Sequence, residues 1–297
     1  MIAFLPSILT AGACTSLCAQ ERTSVQFITI TFESAVTQAI LPLVTFAQRN
    51  NGISCTIPAT FFVSNNFTDY YATSELYYKQ GFEIAANTMG SPDLPSSKEI
   101  GGSRAATAFY ANIPFENITG FRAPFLHVNK RILQSVSNLG FEYDSSLDIS
   151  SPTFPYRMST VLSKCDSCNE LSLPKLISVP LTQLEDNNNQ LVDILDPSLN
   201  TSDDVFQLFK SNLENHQNHE NTPFGLNLQP ATLLTQPYIS DGLNKFIDYA
   251  VTLENVYFVT NQQLIKYFQS SPPGDLQNWL ETEQCNRDTS PLCGTIC

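Results

Sequence analysis

Along the chain, short apolar runs alternate with longer segments whose apolar residues fall on one helical face. Residues 27–31, Phe-Ile-Thr-Ile-Thr, are rich in β-branched side chains and read as a strand, and 35–48 read as a helix. The alternation continues with strands at 59–63 and 82–85 and helices at 73–80 and 97–110. A short strand at 120–121 follows, then a helix over 130–139 that stops at Gly140, where glycine suits a helix end, and a strand at 141–143. Between residues 145 and 199 the periodicity fades into proline, serine and asparagine, which predicts long loops. Regularity returns with a helix to residue 219 capped by Ser202-Asp203-Asp204, a strand at 224–228, a helix at 239–252, a strand at 256–259 and a helix at 261–269. Strict alternation implies parallel strands with helices outside, as an open doubly wound sheet or a closed β/α barrel. No glycine-rich phosphate loop follows the first strand, which argues against a nucleotide-binding sheet.

Composition narrows the function more than the fold. The 297 residues are 42% hydrophobic, enough for a sizeable core, and the net charge of −13 disfavours nucleic acid and anionic membrane surfaces as partners. Three histidines, His127, His216 and His219, are few for imidazole chemistry. The apolar stretch 2–13 is too short to span a bilayer but fits the apolar core of a secretory signal peptide, cleaved after Ala13 or after Ala19. No later segment is long and apolar enough for a membrane helix. Secretion to the extracellular space agrees with three glycosylation sequons, at Asn66, Asn117 and Asn200. It also agrees with eight cysteines, an even count. Cys165-Asp166-Ser167-Cys168 reads as a local disulfide in an oxidising compartment. The pairing of Cys14, Cys18, Cys55, Cys285, Cys293 and Cys297 stays open. The expected organisation is a signal peptide over 1–19, a barrel over 20–270 and a disulfide-bearing tail over 271–297.

In alternating folds, chemistry sits at the carboxyl ends of the strands. Those ends are Thr31-Phe32-Glu33-Ser34, Asn87-Thr88-Met89-Gly90-Ser91, Arg122-Ala123-Pro124-Phe125, Tyr143-Asp144-Ser145-Ser146-Leu147 and Leu226-Asn227-Leu228-Gln229. Their order and framing resemble the polysaccharide deacetylases with the NodB-homology domain, most of all the insect-type chitin deacetylases. Further matching stretches are 59–64, 120–126, 140–146, 222–226 and 256–263, so the resemblance covers roughly residues 25–270. It implies a single distorted (β/α) barrel with a cysteine-bearing C-terminal tail. It also implies metal-assisted removal of acetyl groups from N-acetylglucosamine units. In such chemistry a divalent ion activates water, a carboxylate takes its proton and a histidine protonates the leaving amine.

The residues depart from that pattern where the chemistry resides. The family has Thr-Phe-Asp-Asp; here the base position is Glu33 and the metal-binding aspartate is replaced by Ser34. The family's His-x-x-x-His becomes Asn87 and Ser91, and the late-strand acid becomes Gln229, which cannot shuttle a proton near neutral pH. All three metal-ligand positions are thus changed, so the expectation is no metal and no cofactor, where the family uses zinc or a similar ion. Arg122, which orients the base in the family, is expected to form an ion pair with Glu33. Asp144 is retained, and Pro124, Phe125, Asp144 and Leu226 are expected around the pocket. His216 and His219 read as a solvated polar helix face, His127 as a rim residue, and Glu83 as turned to the surface or the helix layer. The expectation is a pseudoenzyme whose implied partner is chitin or another N-acetylglucosamine polymer. The alternatives are a weakly active deacetylase and an extracellular protein-interaction scaffold.

Overall fold

A computed structural model describes residues 24–51, 55–159, 171–186, 190–192, 199–269 and 276–285. The signal segment 1–19 and the Cys165–Cys168 pair lie outside the described residues. The strands are β1 (Gln26–Ser34), β2 (Thr60–Val63), β3 (Glu83–Ala86), β4 (Gly120–Phe121), β5 (Tyr143–Asp144), β6 (Asp148–Ile149), β7 (Tyr156–Met158), β8 (Leu173–Ser178), β9 (Leu181–Thr182), β10 (Leu184–Glu185), β11 (Leu191–Val192), β12 (Phe224–Leu228) and β13 (Val256–Phe258). The α-helices are α1 (Tyr70–Tyr78), α2 (Ser97–Tyr110), α3 (Lys130–Asn138), α4 (Ser202–Asn218), α5 (Pro230–Thr235), α6 (Pro237–Ala250), α7 (Asn261–Gln269) and α8 (Leu276–Cys285). None of these helices is long and apolar enough to cross a membrane.

One nine-stranded sheet curls into a distorted (β/α) barrel, in the order β12-β1-β2-β3-β4-β5-β8-β7, with β13 also paired to β1. Every pairing in it is parallel except β7 with β8. The hydrogen-bonded path ends at β12, so a seam remains between β12 and the short β6–β9 pair.

Strand alternation divides the core into two layers. Ile28, Ile30 and Phe32 of β1 face the helices, packing in the same cluster as Phe61, Phe82, Phe209 and Phe246. Phe27, Phe62, Ala85, Tyr143 and Ile177 fill the barrel interior. Burial on both faces explains why the strands read as continuous apolar runs. Stacked rings bind the outer layer, Phe32 on Phe61 at 4.7 Å and Phe61 on Phe82 at 5.7 Å, each such pair adding roughly 0.5–1.5 kcal/mol beyond burial.

The caps follow local chemistry. The Asp69 side chain accepts from the first turn of α1 and Ser96 from that of α2. Thr201, not Ser202, caps α4 in a reciprocal box with Asp204. Two expectations are corrected. Residues 38–48 form 3₁₀ turns instead of an α-helix, because Pro42 removes a donor mid-segment and Val44 leaves the helical region. The predicted long loops hold six short strands, among them the barrel strand β8, whose Pro174 and Lys175 mask its pattern. Within the tail, α8 docks on the barrel through Leu280 and Trp279, with Trp279 5.6 Å from the Tyr267 ring and a Lys266–Glu283 ion pair of 2.8 Å.

Candidate functional site

The ends of five barrel strands, β1, β2, β3, β4 and β12, converge on a pocket of about 170 Å³ lined by Glu33, Ser34, Ser64, Asn87, Ser91, Pro124, Phe125 and Gln229. Glu33 reaches it because Thr31 and Glu33 share the inward face of β1. Asn87 follows β3 and donates from Nδ2 to Glu33 Oε1 at 3.5 Å, while its own Oδ1 accepts from Thr88 Oγ1 at 3.1 Å. Ser91 and Ser64 share a hydrogen bond between their Oγ atoms of 2.8 Å. The backbone is strained around this rim. Ser34, Ser91, Phe125 and Leu126 have φ values of 142°, 53°, 56° and 58°, a conformation that costs non-glycine residues on the order of 1 kcal/mol or more each.

Glu33 is partly exposed at the pocket, yet the surrounding protein raises its carboxyl above the usual range by desolvation. The Arg122 charge, the Phe125 backbone N–H and the Asn87 amide oppose that rise. The expected Arg122–Glu33 ion pair does not form. Arg122 is fully buried and donates instead to Ser145 O and Oγ, both at 2.9 Å, to Thr31 Oγ1 at 2.8 Å and to Asn227 Oδ1 at 2.7 Å, with its guanidinium 4.0 Å from the Phe62 ring. Its planar fork matches these fixed neutral acceptors, so Glu33 acts on it through charge alone. Burial lowers the Arg122 pKa to about 10 against the opposing charges of Glu33, Tyr143, Asp144 and Glu83.

Asp144 sits fully buried beneath the mouth and is not among the residues that line it. Its Oδ1 and Oδ2 accept from Ser146 N at 3.0 Å and Ser146 Oγ at 2.8 Å, and burial raises its pKa to about 6. Ser146 Oγ in turn accepts from Ala123 N at 2.9 Å, which ties this turn to the Pro124-Phe125 rim. Leu226 belongs to the helix-facing core and borders a neighbouring pocket of about 350 Å³ at the seam, together with Asn227, Asp148 and Leu181.

Two further readings are corrected. Glu83 is buried inside the barrel, accepting from Thr60 Oγ1 at 2.9 Å, Tyr143 OH at 2.5 Å and Gln262 N at 2.9 Å. Glu83, Ala85 and Asn87 alternate onto one face, so the strand that aims Asn87 into the mouth aims Glu83 into the interior. His216 is buried against Phe224 with its Nδ1 beside Thr222, and desolvation lowers its pKa to about 4; of this pair His219 alone is exposed. His127 stands exposed on the rim and pairs with Asp93. Asn66, Asn117 and Asn200 are exposed. Cys55 is disulfide-bonded. Sequence reasoning missed Ser64, although its place directly after β2 marks it as a strand-end residue. It also missed Ser145, whose role depends on where Arg122 points.

The donor set at the mouth is one carboxylate, three hydroxyls and two amides. Among the described residues no three His, Cys, Asp or Glu side chains come together as a metal-binding group.

No family model matches the chain. Chitin deacetylase 8 of Bombyx mori is 26% identical over 302 aligned residues, spanning 92% of this chain and 77% of that protein. Chitin deacetylase 1 of Bombyx mori is 27% identical over 90% of this chain but only 56% of its own length, so the chain spans little more than half of that relative. The chitin deacetylase of the fungal pathogen Colletotrichum lindemuthianum superposes with a TM-score of 0.52 at 15% identity, covering 82% of this chain and 88% of that one. By sequence the chain is similar to insect chitin deacetylases, and its barrel is the polysaccharide deacetylase fold.

Proposed function

We propose that this chain is an extracellular, glycosylated, deacetylase-like protein that binds N-acetylglucosamine polymers at the barrel mouth without hydrolysing them. The observation that carries the reading is the donor set of the mouth. Glu33 is its single carboxylate, Asn87 and Ser91 are already hydrogen-bonded to Glu33, Thr88 and Ser64, and no imidazole lines the pocket. Zinc and similar ions select carboxylate, imidazole or thiolate ligands, so these residues do not fit such an ion. Gln229 offers an amide where a proton donor would be needed. A pocket of amides and hydroxyls next to a carboxyl of raised pKa suits the hydrogen-bonding edge of an acetamido sugar. The exposed sequons and the apolar leader support an extracellular setting.

A weakly active deacetylase is the second reading, favoured by Glu33, a carboxylate whose raised pKa suits a general base. Acetate release from chitin oligomers, measured with and without added zinc beside a chitin pull-down, separates the two. Retention on chitin without acetate is the expected result. Acetate release by the unmodified chain overturns the inactive reading, and absence of retention points instead to a scaffold that engages a protein.

A further inference from the structure

The amphipathicity of α2 is inverted. Its buried face is largely polar, made of Ser103, Arg104 and Thr107 with Ile100. Its outward face runs through Gly102, Ala105 and Phe109 to Tyr110. Arg104, the one charged residue in the second half of the helix, is turned inward. It donates to the carbonyls of Leu139 and Phe115 and lies over the Phe115 and Phe141 rings. Next to this face stand α1 and the loop before it. Phe67 is 85% exposed, Tyr71 64%, Phe109 78% and Tyr110 64%. The rings are not scattered. Tyr70 lies 5.1 Å from Tyr110, and Phe109 lies 5.1 Å from Tyr110. Tyr70, Phe109 and Tyr110 thus form one contiguous ring group, and a contiguous exposed aromatic surface marks an interaction site.

Two contacts beneath this face tie α1 and α2 to segments that border the mouth. Asn65, one residue beyond Ser64 of the pocket, donates to Tyr70 OH at 3.1 Å and to Thr107 Oγ1 at 2.9 Å. A Cβ on Gly102 would meet Met89 at 3.3 Å, so the partly exposed Met89, in the loop that carries Asn87 and Ser91, rests on α2.

We propose that the outward face built on Tyr70, Phe109 and Tyr110 of α1 and α2 is a second saccharide-binding surface that holds a neutral polysaccharide chain outside the mouth. The proposal rests on the reading that the protein binds N-acetylglucosamine polymers, and it extends that binding to a surface outside the pocket. The chemistry selects the occupant. The face carries rings and small residues with no outward charge on the second half of α2, so a charged polymer finds no partner there. The net charge of −13 also opposes close approach of a second copy. Aromatic rings with phenolic edges offer a flat apolar face to pyranose C–H groups and hydrogen bonds to their hydroxyls.

The test compares the full-length protein with the variant carrying Phe109→Ala and Tyr110→Ala. Binding isotherms are measured on insoluble chitin and on a soluble short N-acetylglucosamine oligomer, with folding checked by circular dichroism. The variant is expected to lose about tenfold in affinity for the insoluble polymer while oligomer binding is unchanged. The variant with Phe109→Tyr and Tyr110→Phe, which keeps both rings, should bind like the unmodified protein. Unchanged polymer binding in the alanine variant overturns the surface alone. Failure of the unmodified protein to bind polymer or oligomer overturns the functional reading and the surface with it. A dimer that dissociates on the alanine substitutions, with chitin binding intact, reassigns the face to self-association. Polymer binding that appears only after enzymatic removal of the glycans reassigns it to the protein's own sugar at Asn66.

Discussion

Two buried groups should tilt the pH dependence of stability in opposite directions, and each can be removed separately. Asp144 titrates at about 6 in the folded protein because burial disfavours its charge, against about 4 in an unfolded chain. Between those values the folded state holds a proton that the unfolded state has released. Its contribution is therefore full below about pH 4 and is lost as pH rises through and beyond about 6, a total change of roughly 3 kcal/mol. His216 runs the other way. Its imidazole titrates at about 4 when folded, again through burial, against about 6.5 unfolded. The unfolded state then binds the extra proton, so this contribution is absent at low pH and grows by roughly 3 kcal/mol as pH rises through the window. Urea unfolding at fixed ionic strength from pH 4 to 7 reads both contributions as differences from the unmodified protein, in which exposed groups cancel. Asp144→Asn should gain about 2 kcal/mol relative to the parent as pH rises from 4 to 6. His216→Gln should lose about as much between 4 and 6.5. The absolute offsets depend on how well each substituted amide keeps the hydrogen bonds of the side chain it replaces, but the slopes do not. Difference curves flat with pH for both variants would refute the argument that these groups resist ionisation in the fold.

Other substitutions probe the mouth and the barrel interior. Ser34→Asp, Asn87→His and Ser91→His together should create zinc binding detectable by calorimetry, and each alone should not, since groups that act as a unit are strongly non-additive; tight zinc binding by the unmodified chain or by Ser34→Asp alone would refute the ligand placement. Tyr143→Phe removes a donor from buried Glu83 and should cost about 1–3 kcal/mol in urea unfolding. Gly120→Ala places a Cβ 2.1 Å from Tyr143 Cζ and should cost at least as much, about 1–3 kcal/mol, by overpacking. In the Tyr143→Phe background the ring still obstructs, so the Gly120→Ala penalty should persist, and its disappearance would show that the hydroxyl alone is responsible.

Much of the barrel was legible because its signals are local. Short apolar runs with β-branched and aromatic residues marked β1, β2 and β12, and the predicted limits 97–110 of α2 and 261–269 of α7 agree with the structure. Local pattern failed where local chemistry conflicts with the tertiary role. β8 carries Pro174 and Lys175, yet it becomes a barrel strand because β5 and β7 bond to it from either side. The segment 38–48 has helical spacing, but Pro42 cannot donate within an α-helix, and the chain tightens into 3₁₀ turns.

The sequence by itself determined which residue types stand at the strand ends: Glu33, Ser34, Asn87, Ser91 and Gln229 follow runs whose period makes them strands, and chemistry sits at such ends. It could not determine pairings between residues far apart in the chain. Only the tertiary structure decided that Arg122 bonds Thr31, Ser145 and Asn227 instead of Glu33, and that Glu83 and His216 are buried. It alone decided that α2 turns its polar side inward to reach Asn65 and the carbonyls near residue 139, leaving its aromatic side in water. The reason is physical. Strand and helix periods are properties of the local backbone, whereas the direction of a buried polar group is set by whichever donors and acceptors the packed barrel brings within hydrogen-bonding distance, because leaving such a group unpaired costs about 1–3 kcal/mol.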